Sequence, residues 1–409
     1  MTTSRYQASP PRFLIVLLAG LVAFGPLSID MYLPSLPVIA EALADSEARV
    51  QRTISFFLIG FSVGMLLYGP LSDRLGRRRP LLFGIGLYVL ATLGCFLSQS
   101  VDQLLFWRAF QALGGAAASV LARAIVRDLF PVEAAAGTLS LMHLVTMLAT
   151  LVAPLLGSLL MEVGDWRSIF AFLAVYAILS GLAVMLWLPE SHDGRSQASR
   201  PGGFLNGYLA VLGSRRAVGY MLCMGLSFAG MFAYLTASPF VYIDFFGVSP
   251  RQYAGLFGLN IVSVILFTSL NARLVTRIGA QRLLALGVGV AAVSGGALGV
   301  ITFHDWGGLP AIVVGLFFFI GVTGLLGANS IASLMGLYPS LAGTAAGLAV
   351  AGQFGLGALM SALTSVLHDG TPLAMGVVVA GCGLGSLVGL LLTLPGGAAR
   401  QGAIISGDG

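Results

Sequence analysis

The sequence predicts an all-α integral membrane protein, with twelve transmembrane helices arranged as two six-helix halves. Three observations carry that prediction. Of 409 residues, 57% are hydrophobic and only 9% charged, more apolar surface than a chain dissolved in water can bury. Uncharged runs of the length a bilayer crossing needs, about 20 residues, recur from one end of the chain to the other. The basic residues, all of them arginine, gather in alternate gaps between those runs.

The first set of runs is 13–40, broken only by Asp30, then 53–72, 80–101, 103–122 with only Arg108 inside it, 134–161 and 168–189. The second set is 217–243, 252–272, 283–303, 306–367 and 370–399. LYPSLAG at 337–343 places Pro and Gly at the middle of the longest run and splits it into two helices, which makes twelve spans.

Orientation follows from the arginines. Sixteen of the 21 fall in segments 1–12, 73–79, 123–133, 190–216, 273–282 and 400–409, whereas only Arg49, Arg52, Arg167 and Arg251 lie in the gaps between. That bias predicts both termini in the cytoplasm, as an even number of spans requires. It also assigns the net charge of +5 to membrane flanks, not to a nucleic-acid partner. The first run is far longer than the apolar core of a signal peptide, despite the cleavage-like ALA at 42–44, and reads as a retained helix. Cys95, Cys223 and Cys382 each sit inside an apolar run without ligand spacing, and read as packing residues.

The longest polar break, residues 190–216, reads as a cytoplasmic linker with a short surface helix near 204–213. It divides residues 1–189, the first half, from residues 217–409, the second half with a short cytoplasmic tail. SDRLGRRRPLL at 72–82 is echoed by VTRIGAQRLLA at 275–285, after the second span of each half. Duplicated halves with a site at their interface are a transporter architecture.

Asp30 stands in GPLSIDMYLPSLP, residues 25–37. By helical rise it lies about 5 Å from the midpoint of its run, inside the hydrocarbon. Its helical neighbours Pro26, Leu27, Leu33 and Pro34 offer no basic partner. Burial disfavours a bare carboxylate, so Asp30 is a candidate for proton exchange, the alternative being a cap on a helix break at Pro34. The prolines remove backbone N–H groups beside it and leave carbonyls for cavity water. Arg108, on the fourth span, is costly in a bilayer and calls for a polar cavity or partner, unless it snorkels to the headgroups. Gln111, Gly115 and Ser119 continue its face as a slim polar stripe. Asp30 and Arg108 are thus expected as distant counter-charges, meeting directly or through water.

Three stretches carry a family resemblance. GPLSDRLGRRRP at 69–80 resembles the loop between the second and third spans of the major facilitator superfamily, and DWRSIF at 165–170 adds specificity. SIDMYLPSLP and LARAIVRDLF resemble the bicyclomycin/chloramphenicol branch of its drug:proton antiporters. The resemblance implies the major facilitator fold, a gating role for the loop residues Asp73, Arg74, Gly76 and Arg77, and proton coupling by Asp30 with Arg108 aiding proton transfer or substrate recognition. It also implies a hinge at Pro154 and Gly157 on the fifth span, although Ala153 and Ser158 stand where that antiporter motif has glycines. Thr276 takes the place of Asp73 in the second half, whose copy reads as structural.

Tyr32, Tyr68, Tyr234, Asn260, Asn329 and Gln353 join Gln111 as candidates to line a substrate cavity, or else to bond between helices. No histidine cluster suggests a metal, His143 being placed about one turn into the fifth span. No GxxxxGK[ST] loop suggests ATP, and the spans hold no nucleophile and base for an enzyme. The expectation is a monomeric, cofactor-free carrier that exports drugs or toxic compounds by alternating access, powered by the proton gradient. The alternative is a proton-coupled carrier of a metabolite such as an amino acid or small peptide.

Overall fold

The computed structural model describes residues 12–192 and 203–394; the expected tail and residues 193–202 of the expected linker lie outside the described residues. Twelve helices among the described residues are long and apolar enough to cross a membrane. They are Phe13–Ala42 (span 1), Glu47–Leu75, Arg78–Leu97, Val101–Leu129, Gly137–Val163, Arg167–Trp187 (span 6), Arg215–Phe245 (span 7), Pro250–Ile278, Ala280–His304, Gly308–Leu337, Ala342–Val366 and Leu373–Thr393 (span 12). A short helix, Gly203–Leu212, precedes span 7 and packs on span 11.

Several helices outrun the apolar runs that foretell them, because serines set their starts. Ser46, Ser100, Ser214 and Ser249 each accept a hydrogen bond from the amide three residues on, and Gln252 completes a capping box with Ser249. The helix leading into span 5 starts at Val132, which places His143 about three turns into that helix and less than two turns past Gly137. Spans 2 and 8 end on glycines with φ of +84° and +88°, Gly76 and Gly279, a conformation that disfavours any side chain. Those glycines occupy the equivalent loops of the two halves.

Span 1 is not one regular helix. It runs as Arg12–Val22, Phe24–Asp30, a 3₁₀ turn Leu33–Ser35, and Leu36–Ala42. Pro34 and Pro37 are the second residues of the last two pieces, within the first turn, where a missing N–H costs least. Asp30 therefore closes a helical piece beside the break.

Small residues draw the helices of each half together. A Cβ on Gly60 would lie 2.1 Å from the Ala109 carbonyl oxygen, and one on Gly114 would lie 2.5 Å from the Tyr88 nitrogen, so spans 2 and 3 both press on span 4. In the second half a Cβ on Gly383 of span 12 would lie 2.5 Å from the Ala291 oxygen of span 9.

Between the halves, span 2 runs along span 11 and span 5 along span 8. The described chain ends, Arg12 and Leu394, share one face of the bundle, here the terminal face. The hydrogen bonds and ion pairs that join the halves among the described residues lie between Ser62 and the opposite face. Ser62 donates to the Ala351 oxygen at 2.9 Å, Ser55 meets Ser361 at 2.8 Å, and His368 meets Glu47 at 2.8 Å. On the other edge Arg251 meets Glu162 at 2.8 Å. Toward the terminal face, Gly69 of span 2 and Gly343 and Gly347 of span 11 have no atom within 4 Å of where a Cβ would stand. The halves are closed at one face and part toward the other.

The Gly60 contact gives a direct test. Gly60→Val forces spans 2 and 4 apart and should abolish the monodisperse peak in fluorescence-detected size exclusion. Gly86→Val, where a side chain meets open space, should leave it intact.

Candidate functional site

Asp30 is 5% exposed and lies at the seam of the two halves. Thr150 of span 5 lies beside its carboxyl, and Tyr234 of span 7 and Tyr253 of span 8 are within electrostatic reach. No basic side chain forms an ion pair with it among the described residues. The chain arrives there because a Cβ on Gly157 would fall 2.0 Å from the Met31 oxygen: span 5 rests directly on the break of span 1. Pro154 lies inside the same helix, one turn earlier.

Tyr234 and Tyr253 belong to a buried aromatic group. Their rings, with Tyr242 and Phe257, lie 6.0–6.5 Å apart in neighbouring pairs. Tyr242 enters this group from a π-helical turn, Phe240–Phe245, which follows Pro239 and winds the end of span 7 differently from the rest. Ser238 meets the Tyr253 hydroxyl at 3.1 Å. Asn260 and Ser238 flank the Tyr234 hydroxyl without completing a hydrogen bond to it: Tyr234 Oη, Tyr242 Oη and Asn260 Oδ1 are all buried without a partner. A seam that keeps several polar tips unpaired is suited to receive water or a ligand.

Arg108 occupies a different place. It is 0% exposed, so it does not snorkel. Its Nη1 donates to the Ser28 carbonyl oxygen at 3.0 Å and to Gln111 Oε1 at 2.6 Å, and Gln111 in turn donates to Thr92 at 2.9 Å. The guanidinium carbon lies 4.5 Å from the Tyr32 ring centre and 4.3 Å from that of Phe57, a cation held between two π faces. Nε and Nη2 have no hydrogen-bond partner. Tyr32 is pinned by a 3.0 Å hydroxyl contact with Thr53. Tyr32 and Gln111 thus build the arginine's cage inside the first half.

No ion pair joins Asp30 to Arg108. Ser28 and Asp30 are two residues apart, about 200° around a helix, so Arg108 grips one side of span 1 while Asp30 looks out from the other. Their link is the backbone between them.

The remaining candidates fall elsewhere. Asn329 donates to Asn271 Oδ1 at 2.7 Å, a buried bond between spans 10 and 8. Gln353 is half-buried on span 11 beside span 7. Tyr68 is buried with its hydroxyl beside Gly84 of span 3.

At the terminal face the loop residues form a charged knot within the first half. Arg77 donates to Asp73 at 2.6 Å, to Asp128 at the end of span 4 at 2.8 Å, and to Ser72 at 2.6 Å. Glu190, after span 6, accepts from the Arg77 and Arg78 amides at 2.7 and 3.2 Å. Gly76 is required twice over, by its positive φ and because a Cβ would stand 2.7 Å from Glu190 Oε2. Arg74 lies in the last turn of span 2, exposed. Sequence reasoning missed Asp128 and Glu190, although Asp128 stands in the RDLF stretch and Glu190 opens the linker; it also missed Thr150, Tyr242 and Tyr253, which carry no pattern of their own.

Replacing Arg108 by Lys keeps the charge but loses the flat sandwich and the paired acceptors. The expected outcome is a loss of about 2 kcal/mol of stability, seen as a lower unfolding temperature in detergent.

Comparison with known proteins fits this architecture. The profile of the Major Facilitator Superfamily matches residues 16–362. A bicyclomycin resistance protein homolog of Haemophilus influenzae is 32% identical over 372 residues, covering 90% of this chain and 93% of that protein. The multidrug resistance protein D of Escherichia coli is 29% identical over 94% of this chain and 93% of its own length. Among solved structures, a peptide transporter superposes with a TM-score of 0.76 at 15% identity, over 98% of this chain and 97% of that one. A D-xylose-proton symporter does so with a TM-score of 0.73 at 18% identity, over 94% and 98%. At those identities the structural likeness speaks for the fold alone.

Proposed function

The chain belongs to the major facilitator superfamily, and we propose that it exports small drug-like organic molecules across the bacterial inner membrane in exchange for protons. The observation that carries this reading is Asp30: a buried acid without a basic partner, at the seam where span 1 meets spans 5, 7 and 8. The names of its relatives, resistance proteins for bicyclomycin, chloramphenicol and multiple drugs, support the cargo class. The protein is a transporter and not an enzyme.

In this reading residues 1–189 and 217–409 are the moving halves, residues 190–216 are the linker, and the terminal face is cytoplasmic. The structure then corresponds to the state open to the cytoplasm. Substrate enters between the halves and is met by Asp30 in its charged form, with Tyr234, Tyr253 and Asn260 offering aromatic and polar contacts. After the halves rock to open outward, a proton from outside neutralises Asp30 and removes its hold on the substrate. The return to the cytoplasm-open state delivers that proton inside. Thr150 holds the carboxyl between these events, and Gly157 lets span 5 pivot against Met31 with Pro154 interrupting its own hydrogen bonding. Arg108 fixes span 1 to the first half, so that Asp30 moves with that half as a body.

The knot of Asp73, Arg77, Asp128 and Glu190 locks the loop ends of spans 2, 4 and 6 together, and with Arg74 and Gly76 it gives the first half a rigid cytoplasmic edge. That edge closes against the second half when the cavity faces outward. One monomer contains both walls of the seam, and no cofactor is called for. A proton crossing 100 mV supplies about 2.3 kcal/mol and each pH unit about 1.4 kcal/mol, enough to sustain a gradient of a few hundredfold.

Everted vesicles test the reading. Acid-loaded vesicles should lose part of their pH difference on addition of a transported drug such as chloramphenicol, and Asp30→Asn should abolish that response. A mutant as active as the wild type would remove Asp30 from the coupling.

A further inference from the structure

Two side-chain straps cross the seam at the face opposite the termini, one on each edge. Arg251 of span 8 grips Glu162 of span 5 through Nε and Nη2, both at 2.8 Å, and arginine holds its charge at every working pH. The other strap differs in chemistry. His368, just beyond span 11, meets Glu47 through Nε2 at 2.8 Å and Gln51 through Nδ1 at 3.2 Å. Glu47 and Gln51 begin span 2, so the imidazole is a rivet between the halves. The histidine side chain is 11% exposed and the glutamate 40%.

Imidazole is the side chain that changes charge between pH 5 and 8, and the charged groups brought near this ring are acidic. Glu47 faces it across the seam, and Asp369 follows it in the chain. Asp244, at the end of span 7, lies within electrostatic reach of His368, Glu47 and Glu41. Against a desolvation penalty, the Thr371 hydroxyl and amide, with His368 nearby, hold the Asp369 carboxyl below the usual carboxylate range. The Phe240 ring, 5.8 Å away, covers one side of the imidazole.

Gln51 suits both charge states of the ring. With one ring proton, on Nε2, Nδ1 accepts from the Gln51 amide nitrogen. With two, Nδ1 becomes a donor and needs an acceptor; Gln51 Oε1 is buried without a partner and reaches it by a half-turn of the amide. Protonation therefore keeps the Gln51 bond and turns the Glu47 bond into a charge-assisted pair.

We propose that His368, with Glu47 as its counter-charge, is a second proton-binding site, on the outer face of the protein and filled when that face is closed. The proposal rests on the reading of the terminal face as cytoplasmic. A proton taken from outside tightens the seam in the state that delivers Asp30's proton inward. A doubly protonated ring meets Glu47 across the seam only while the outer face is closed, so protonation of the ring adds stability to that state alone. The other edge, Glu162–Arg251, holds no imidazole, which leaves one histidine strap and one arginine strap.

The test uses spin labels on Leu97→Cys and Val366→Cys, at exposed positions near the outer ends of spans 3 and 11, with the full chain in nanodiscs; the three native cysteines are buried. The closed-to-open ratio of the outer face should rise roughly threefold between pH 8.5 and pH 5.5, the size expected of a partly exposed ion pair. Asp30→Asn should keep that rise and His368→Gln should flatten it. If His368→Gln yields no folded protein, Glu47→Gln removes the counter-charge from the other half and must flatten the rise instead. A full rise in these strap variants, or its loss in Asp30→Asn with His368 intact, overturns the proposal. Drug-driven proton flux in vesicles reads the transport function separately, so a silent flux assay with a His368-dependent rise would reject the proposed export and leave the site standing.

Discussion

A buried carboxyl group with a threonine hydroxyl and tyrosine rings near it, and no cation paired to it, can hold a charge only when something else comes to it. Moving an ion out of water costs several kcal/mol even after a protein relaxes around it, and no basic side chain in the described structure forms an ion pair with Asp30. A proton, a cationic group of a ligand or entering water must meet the charge. The rest of the seam is arranged around that requirement: span 1 is broken beside the acid, span 5 lies against the break at Gly157, and spans 7 and 8 close it with aromatic rings.

Arg108 shows the opposite solution to the same problem. Its charge is spread over a planar group, and two rings, a carbonyl and an amide share it. Such a cation needs no carboxylate and does not have to move. The buried charges of spans 1 and 4, Asp30 and Arg108, are therefore kept apart by about half a turn of helix, one fixed and one free to change state. A direct ion pair between them would have neutralised Asp30 permanently and left the seam without a titratable group.

Most of the fold was legible in the chain because a bilayer imposes length and apolarity on every span. All twelve expected spans reappear as helices, and even the short helix at Gly203–Leu212 lies where the linker's apolar stretch suggested. The ends were less legible: Arg49 and Arg273 are helical, since the Ser46 cap sets the start of one helix and Gly279 the end of the other where hydropathy does not. The candidate site was legible only in part. Asp30 and Arg108 stand out as charges in apolar runs, but their separation depends on which side of span 1 each one sees. Tyr242 and Tyr253 carry no sequence signal, because a tyrosine in a span is ordinary and only the π-helical turn and the crossing of spans 7 and 8 bring the rings together. Asn329 drew notice as a polar residue in a span, and its partner Asn271 shows the bland alternative: two amides bonding one helix to another.

The broken first span also bears on how the chain is made. A helix that is interrupted twice, lacks proline N–H groups and carries an acid is the poorest of the twelve at satisfying itself in lipid. Yet it is the first to leave the ribosome. The residues that complete it, Thr150 and Gly157, are translated more than a hundred positions later. The segment that does the most for transport must therefore wait, held at the insertion machinery or in a provisional pose, until the fifth span arrives to shelter it.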